Sequence, residues 1–241
     1  MILLVPIIKK NYFLISLLLI ISLSSGCLET PQATPAAIDE NALLAYGWSQ
    51  VSIEENSFEQ IVTDSTSIVL NSTTVKYHND RLSEDISKQV SDFQESNNLP
   101  VSIILPENLS AQIITYRLSL PSGAKLPTGL VSKIMEKKIA EIEDDGEVEN
   151  LQETTSRNLT LADGTETMVK IFSASGNSTD SGMRMLGFVT AFENEDTSTI
   201  IMGLVPDGEY RVEVWPINDT LFSIDGESEL DEMLELVSTI E

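Results

Sequence analysis

Apolar residues along this chain follow two periods, one of alternation and one of helical recurrence. Val51, Ile53 and Ile61 stand among polar neighbours, and after Asp64-Ser65-Thr66 a second run passes through Ile68, Leu70, Val75 and Tyr77. Alternation puts apolar side chains on one face of an extended strand, so these two runs predict a long hairpin. Leu82, Ile86, Val90 and Phe93 then recur at helical spacing up to Asn97-Asn98. Leu130, Val131, Ile134, Met135, Ile139 and Ile142 form a second helical stripe, which Thr128 can cap and Gly146 can end. Leu230, Met233, Leu234, Val237 and Ile240 form a third, behind Ser228 and Asp231, which resemble a capping box. A shorter helix through Leu43, Leu44 and Tyr46 is bracketed by Asp39 and Gly47.

The remaining pattern is extended. Residues 101–105, 111–120, 151–161, 166–173, 183–193 and 199–205 read as strands, with turn signals at Asp163-Gly164, Gly176-Asn177 and Asn194-Glu195-Asp196. Residues 183–192 and 200–205 are apolar on both faces, which predicts central strands. Tyr210, Val212 and Val214 alternate with Glu209, Arg211 and Glu213, which predicts a separate strand with one wet face. Strands without regular helical crossovers favour an α+β domain: an antiparallel sheet with helices packed mainly on one face.

The start of the chain has a different character. Residues 12–21 are an apolar run behind Lys9-Lys10, followed by Leu23-Ser24-Ser25-Gly26-Cys27. Basic residues, a short apolar centre and small residues at the end are the parts of an export signal. The centre is shorter than the roughly 20 residues of a spanning helix, although the apolar Met1–Ile8 stretch keeps an uncleaved anchor in view. Small residues ahead of Cys27 resemble a lipobox, in which the thiol receives a diacylglyceryl group; Ser24 stands where that pattern has Leu. The organisation expected is a signal peptide with lipobox at 1–26, a linker at 27–38 containing Pro31 and Pro35, and one α+β domain at 39–241.

Charge narrows the partners. Lys plus Arg number 14 against 38 Asp plus Glu, a formal net charge of −24. Such a surface opposes nucleic acid, whose binding rests on basic side chains displacing counterions. Removal of residues 1–26 takes away Lys9 and Lys10 and no acid, leaving 12 bases, 38 acids and a charge of −26. A body this acidic is repelled by anionic headgroups and is expected to stand off the membrane on its linker. With one Cys, no disulfide forms within the chain.

Several of these parts occur together in a known order. Cys27 after an export signal, Ile38-Asp39-Glu40-Asn41-Ala42-Leu43 leading into Gly47-Trp48, the early hairpin, the Pro/Gly segment before the central helix and the Leu161-Ala162-Asp163-Gly164 hairpin resemble a family of archaeal lipoproteins. In order of strands and helices alone, the chain is also similar to the domain of the photosystem accessory protein PsbP. The second resemblance implies a binding or assembly module rather than an enzyme, and a fold-level likeness does not transfer a function.

Candidate chemistry is sparse. His78 is the one imidazole, and the chain has no Gly-x-Ser-x-Gly elbow, no His-Glu-x-x-His, no phosphate-binding Gly-rich loop and no Cys pair for zinc. The densest acidic run, residues 141–149, offers Glu141, Glu143 and Asp145 as oxygen ligands for a hard cation, but Gln152 stands where a calcium loop places its bidentate Glu. Asn71, Asn108, Asn158, Asn177 and Asn218 lie in Asn-x-Ser/Thr acceptors; Asn177, in a loop, is the favoured glycan site. Met183, Met185 and Met202 read as core filler. The expectation is an exported, lipid-anchored, non-catalytic binding or accessory module on the outer face of a cell membrane. It has no cofactor, and its partners are the membrane, through Cys27, and a protein or cations. A cation-binding surface protein centred on 141–149 and an extracytoplasmic hydrolase are the alternatives.

Overall fold

The computed structural model describes residues 31–63, 66–97, 103, 109–120, 148–176, 184–194, 196–214 and 217–240. Its order is α1 (Glu40–Tyr46), β1 (Trp48–Thr63), β2 (Thr66–Asn79), α2 (Asp80–Ser96), β3 (Gln112–Ser119), β4 (Val148–Thr160), β5 (Glu166–Gly176), β6 (Arg184–Asn194), β7 (Thr197–Val214), β8 (Ile217–Ile224) and α3 (Gly226–Ser238). The strands make one sheet in the order β1-β2-β3-β7-β6-β5-β4, with β8 paired to β7, and every pairing is antiparallel. The α+β class and the antiparallel sheet therefore hold. The expected helix over 128–146 and the expected strand over 101–105 lie outside the described residues, apart from Ile103.

Local chemistry sets the helix ends. Asp39 accepts a hydrogen bond from the Ala42 amide at 2.9 Å, and Gly47 closes α1 in a left-handed conformation. Asn79 caps α2 through the Leu82 amide at 2.9 Å. α3 begins earlier than the Ser228/Asp231 pattern predicts, because Asp225 takes the capping position and accepts from the Ser228 amide at 3.2 Å. Asp231, now inside the helix, instead pairs with Arg157 of β4 at 2.7 Å.

Register decides which side chains share a face. Val75 and Tyr77 of β2 pair with Thr115 and Ile113 of β3, which pair with Ile201 and Gly203 of β7; Gly203 in turn pairs with Phe188 of β6, and Phe188 with Ile171 of β5. Val75, Tyr77, Ile113, Ile171, Phe188 and Ile201 point to one side, where they share a core with Leu82, Ile86, Val90 and Phe93 of α2, Leu43 of α1 and Leu230, Met233, Leu234 and Val237 of α3. Gly203 is where α3 comes closest: a Cβ there would run into the Phe188 ring and the Met233 methyl. Val189, Ile200 and Met202 form a smaller buried cluster on the opposite face. Met202 is thus core filler, as its sequence context predicts.

Three features differ from the sequence reading. The expected strands over 199–205 and through Tyr210, Val212 and Val214 are one: β7 continues through Pro206-Asp207-Gly208. The strand changes partner there, pairing with β6 up to Asp207 and with β8 from Gly208, and the positive φ of 110° at Gly208 supplies the kink. β8 itself, with Leu221, Phe222 and Ile224 buried, carries too short an apolar pattern to stand out. Finally, composition places 27–38 in a free linker, whereas its described part, residues 31–38, lies on the sheet with Ala33, Ala36 and Ile38 buried. Small side chains let this strap approach closely, and its hydrogen bonds hold it.

Candidate functional site

The strap is fastened mostly by its main chain. The Asn71 Nδ2 donates to the Pro31 carbonyl at 3.1 Å and the Thr73 hydroxyl to that of Ala33 at 2.6 Å. Arg117 Nη1 reaches the Pro35 carbonyl at 3.4 Å, and the Thr115 hydroxyl donates to the Ala36 carbonyl at 2.7 Å. The Ile38 amide donates to the Tyr77 hydroxyl at 3.1 Å, and the Asp39 amide to Thr239 Oγ1 at 3.2 Å. Asn71, Thr73 and Tyr77 follow one another along β2, so the strap runs parallel to that strand over the β2–β3 seam. Polar side chains on a sheet face normally seek water; here Thr73, Thr115 and Arg117 are buried because the strap's carbonyls take their place. Burial lowers the pKa of the Arg117 guanidinium, and the Asp163 carboxylate opposes that shift. Arg117 Nε also donates to Thr199 Oγ1 at 3.0 Å, which fixes its orientation.

A second polar cluster ties the helices together. Arg81 Nη2 donates to both oxygens of Glu229, at 3.1 and 3.0 Å, and to both of Glu232, at 3.1 and 3.0 Å. Asn79 Nδ2 donates to Glu229 at 2.9 Å and Trp48 Nε1 to Glu232 at 3.0 Å. Burial pushes the Glu229 carboxyl up; the Arg81 guanidinium pulls it down, and Glu232 pushes it up again. Burial also disfavours the charge on Arg81, yet the two carboxylates together hold its pKa above the ordinary value. The two directions are consistent: one cation serves Glu229 and Glu232, with Asp85 also 3.9 Å from its Nη1, so the cation is over-supported and Glu229, more buried than Glu232, is under-supported. Both carboxylates are committed to structural donors, which makes this a clasp between α2, β1 and α3.

The family model described as a domain of unknown function, DUF6517, matches residues 35–241. The chain belongs to this family. No curated protein and no solved structure matches it. The DUF6517 match begins inside the strap, at Pro35, in agreement with a folded body that includes residues ahead of α1.

The remaining sequence candidates of this DUF6517 chain are placed as follows. Cys27, Asn108, Asn177, Glu141, Glu143, Asp145 and Met183 lie outside the described residues. Asn71 sits inside β2, half-buried; besides the Pro31 contact, its Oδ1 accepts from the Ser57 hydroxyl at 2.6 Å, and Thr73 of its acceptor triplet is buried. Asn158 is exposed on β4, the sheet's edge strand, as is Thr160, and its cross-strand neighbour Met168 is 59 % exposed. Asn218 lies in β8 opposite Glu213. His78, next to last in β2, lies beside Asp80, with Nδ1 to Oδ1 at 3.2 Å. Among the described residues no group of three or more His, Cys, Asp or Glu is arranged to hold a metal ion. No described helix is long and apolar enough to cross a membrane. Sequence reading missed the strap and the clasp; the signals for the clasp were Asn79 ahead of an amphipathic run and Arg81 near the start of that helix, against the acid-rich start of α3.

Proposed function

We infer that this protein is exported and lipid-anchored through Cys27 and acts as a non-catalytic binding or accessory module on the outer face of a cell membrane. The observation that carries this reading is positional. Cys27 directly follows an export-type segment and stands four residues ahead of Pro31, where the chain is fastened to the sheet. A thiol at that junction of the sequence suits attachment better than packing. The commitment of Glu229 and Glu232 to Arg81, Asn79 and Trp48 supports a binding role over acid–base chemistry. Two finer points accompany this reading: helices mainly on one face of the sheet, supported by the core that α1, α2 and α3 share, and a PsbP-like order of elements.

The test is membrane fractionation of the Cys27→Ala variant, with mass spectrometry of the wild-type amino-terminal peptide. The variant is expected in the soluble fraction, and the wild-type peptide is expected to begin at an acylated Cys27. Full membrane retention of the variant, or an unmodified Cys27 on a chain that begins at Met1, overturns the lipid anchor and favours an uncleaved apolar segment.

A further inference from the structure

We propose that the outer edge of β1, from Val51 to Ser57, takes an extended segment of a partner protein as an added strand, and that this segment carries basic residues opposite Glu54 and Glu55 and an apolar residue opposite Ile53. This rests on the reading of the protein as a binding module, and it names the surface and the chemistry of the partner. It does not depend on the anchor at Cys27.

The argument begins with main-chain groups. Among the described residues β1 is an end strand of the sheet and pairs with β2 alone, so amides and carbonyls along its other side have no strand to meet. From Ser52 to Ile61 its register with β2 is unbroken. A regular edge of this kind is what an added strand requires. Gln50, Val51 and every residue from Ile53 to Ser57 are exposed, so both faces of this stretch stand in solvent. The opposite edge is built differently. β4 shifts register between Glu149 and Gln152 and again between Glu153 and Thr155, and its exposed stretch, residues 152–158, holds no large apolar side chain. Bulges and polar rows are how sheet edges refuse a neighbour.

Side chains set the chemistry of the partner. Val51 is 65 % exposed and Ile53 48 %, and exposed apolar residues gathered at one place mark an interaction surface. Ile53 pairs with Val75 and Glu55 with Thr73, so both lie on the face that bears the helices; Glu54, paired with Thr74, lies on the other. Glu54 is 3.3 Å from Lys76, whereas Glu55 meets no basic side chain among the described residues. An added antiparallel strand sets one residue opposite each of these, with Cβ atoms about 4.5–5.5 Å apart. Read from its amino end, its complement is a basic residue opposite Glu55, a second opposite Glu54 and an apolar one opposite Ile53. Residues 50–57 hold two acids and no base, in a chain of net charge −24. A basic segment is drawn to that edge, and a second copy of the chain is repelled from it.

The probe is a fluorescein-labelled peptide, Thr-Lys-Lys-Val-Thr-Val, titrated with the full-length protein in detergent at physiological salt and followed by fluorescence anisotropy. Saturable binding is expected, with amide hydrogen exchange slowed in residues 52–57 and unchanged in residues 152–158. The same peptide N-methylated at alternate amides keeps its charge but loses the strand pairing, and is expected to bind at least about tenfold more weakly. Glu54→Lys with Glu55→Lys is expected to lose the Lys-Lys peptide and to bind Thr-Glu-Glu-Val-Thr-Val instead, a rescue that a damaged fold cannot give. Glu55→Lys alone, read against Thr-Glu-Lys-Val-Thr-Val, serves if the double variant fails to fold. No saturable binding, equal binding of the N-methylated peptide, or a double variant that still prefers the Lys-Lys peptide overturns the proposal. Protection of residues 52–57 that grows with protein concentration in the absence of peptide puts a second copy on this edge and overturns it as well. A bare Cys27 in the same preparation overturns the anchor instead and leaves the edge standing.

Discussion

Thr115→Val tests whether the strap is part of the fold or a passenger on it. The Thr115 hydroxyl is buried and donates to the Ala36 carbonyl at 2.7 Å, and Ala36 is itself buried. Valine keeps the shape and the strand preference of threonine but removes the donor, so the carbonyl stays buried without its partner. A buried acceptor left unsatisfied costs about 1–3 kcal/mol, more than the hydrogen bond is worth net. In a domain of this size each kcal/mol moves Tm by roughly 2–4 °C, so the variant should melt about 2–12 °C below wild type. Thermal unfolding followed by circular dichroism reads that shift. Hydrogen exchange at the Ile38 amide, which donates to the Tyr77 hydroxyl, reads the strap directly and should quicken. Because Thr73 and Thr115 grip the same strap, Thr73→Val should cost less once Thr115 is replaced, the non-additivity expected of a shared partner. Tm within about 1 °C of wild type, with unchanged exchange at Ile38, refutes the reasoning: the strap would then contribute nothing to the folded state.

Other outcomes follow from single contacts. Gly203→Ala drives a methyl into the Phe188 ring and the Met233 side chain, so it should cost about 1–3 kcal/mol in denaturant unfolding; combined with Met233→Ala it should cost less than the sum of the two. The Glu229 carboxyl is raised above its unfolded value of 4.5, so its ionised form penalises the fold at neutral pH and the penalty is relieved as pH falls through the raised pKa. The stability difference between wild type and Glu229→Gln should accordingly move in favour of wild type from pH 7 towards 4.5; movement the other way refutes the burial argument. In peptide mass spectra of protein from its native surface, glycan mass is expected on the Asn158 peptide and not on the Asn71 peptide, whose amide is held by Pro31; the reverse pattern refutes this assignment.

How much of this was legible in the sequence depends on whether one residue or a pattern carries the information. The helices and the two long hairpins rest on repeated apolar positions: Leu82, Ile86, Val90 and Phe93 announce α2, and all four are buried. The Asp163-Gly164 turn was equally plain, since few residue pairs tolerate its geometry, and the Gly164 amide closes it on the Leu161 carbonyl at 2.9 Å. Pro206-Asp207-Gly208, between two runs that read as separate strands, was harder. Its residues favour a turn in isolation, and only the exchange of partners from β6 to β8 makes a continuous strand the better use of them. The strap was hidden more thoroughly. Pro31 to Ala37 has the composition of a flexible linker because it holds its place through carbonyl oxygens, which every residue possesses and no sequence pattern marks. What could have revealed it lies 40 to 80 residues away, in Thr73, Thr115 and Arg117, polar side chains on the face that Val75, Tyr77 and Ile113 devote to the core. A buried polar residue on an otherwise apolar strand face requires a partner. Where the sheet itself offers too few, the partner is a segment of main chain lying across it, and low-complexity stretches next to a domain are natural candidates for that segment.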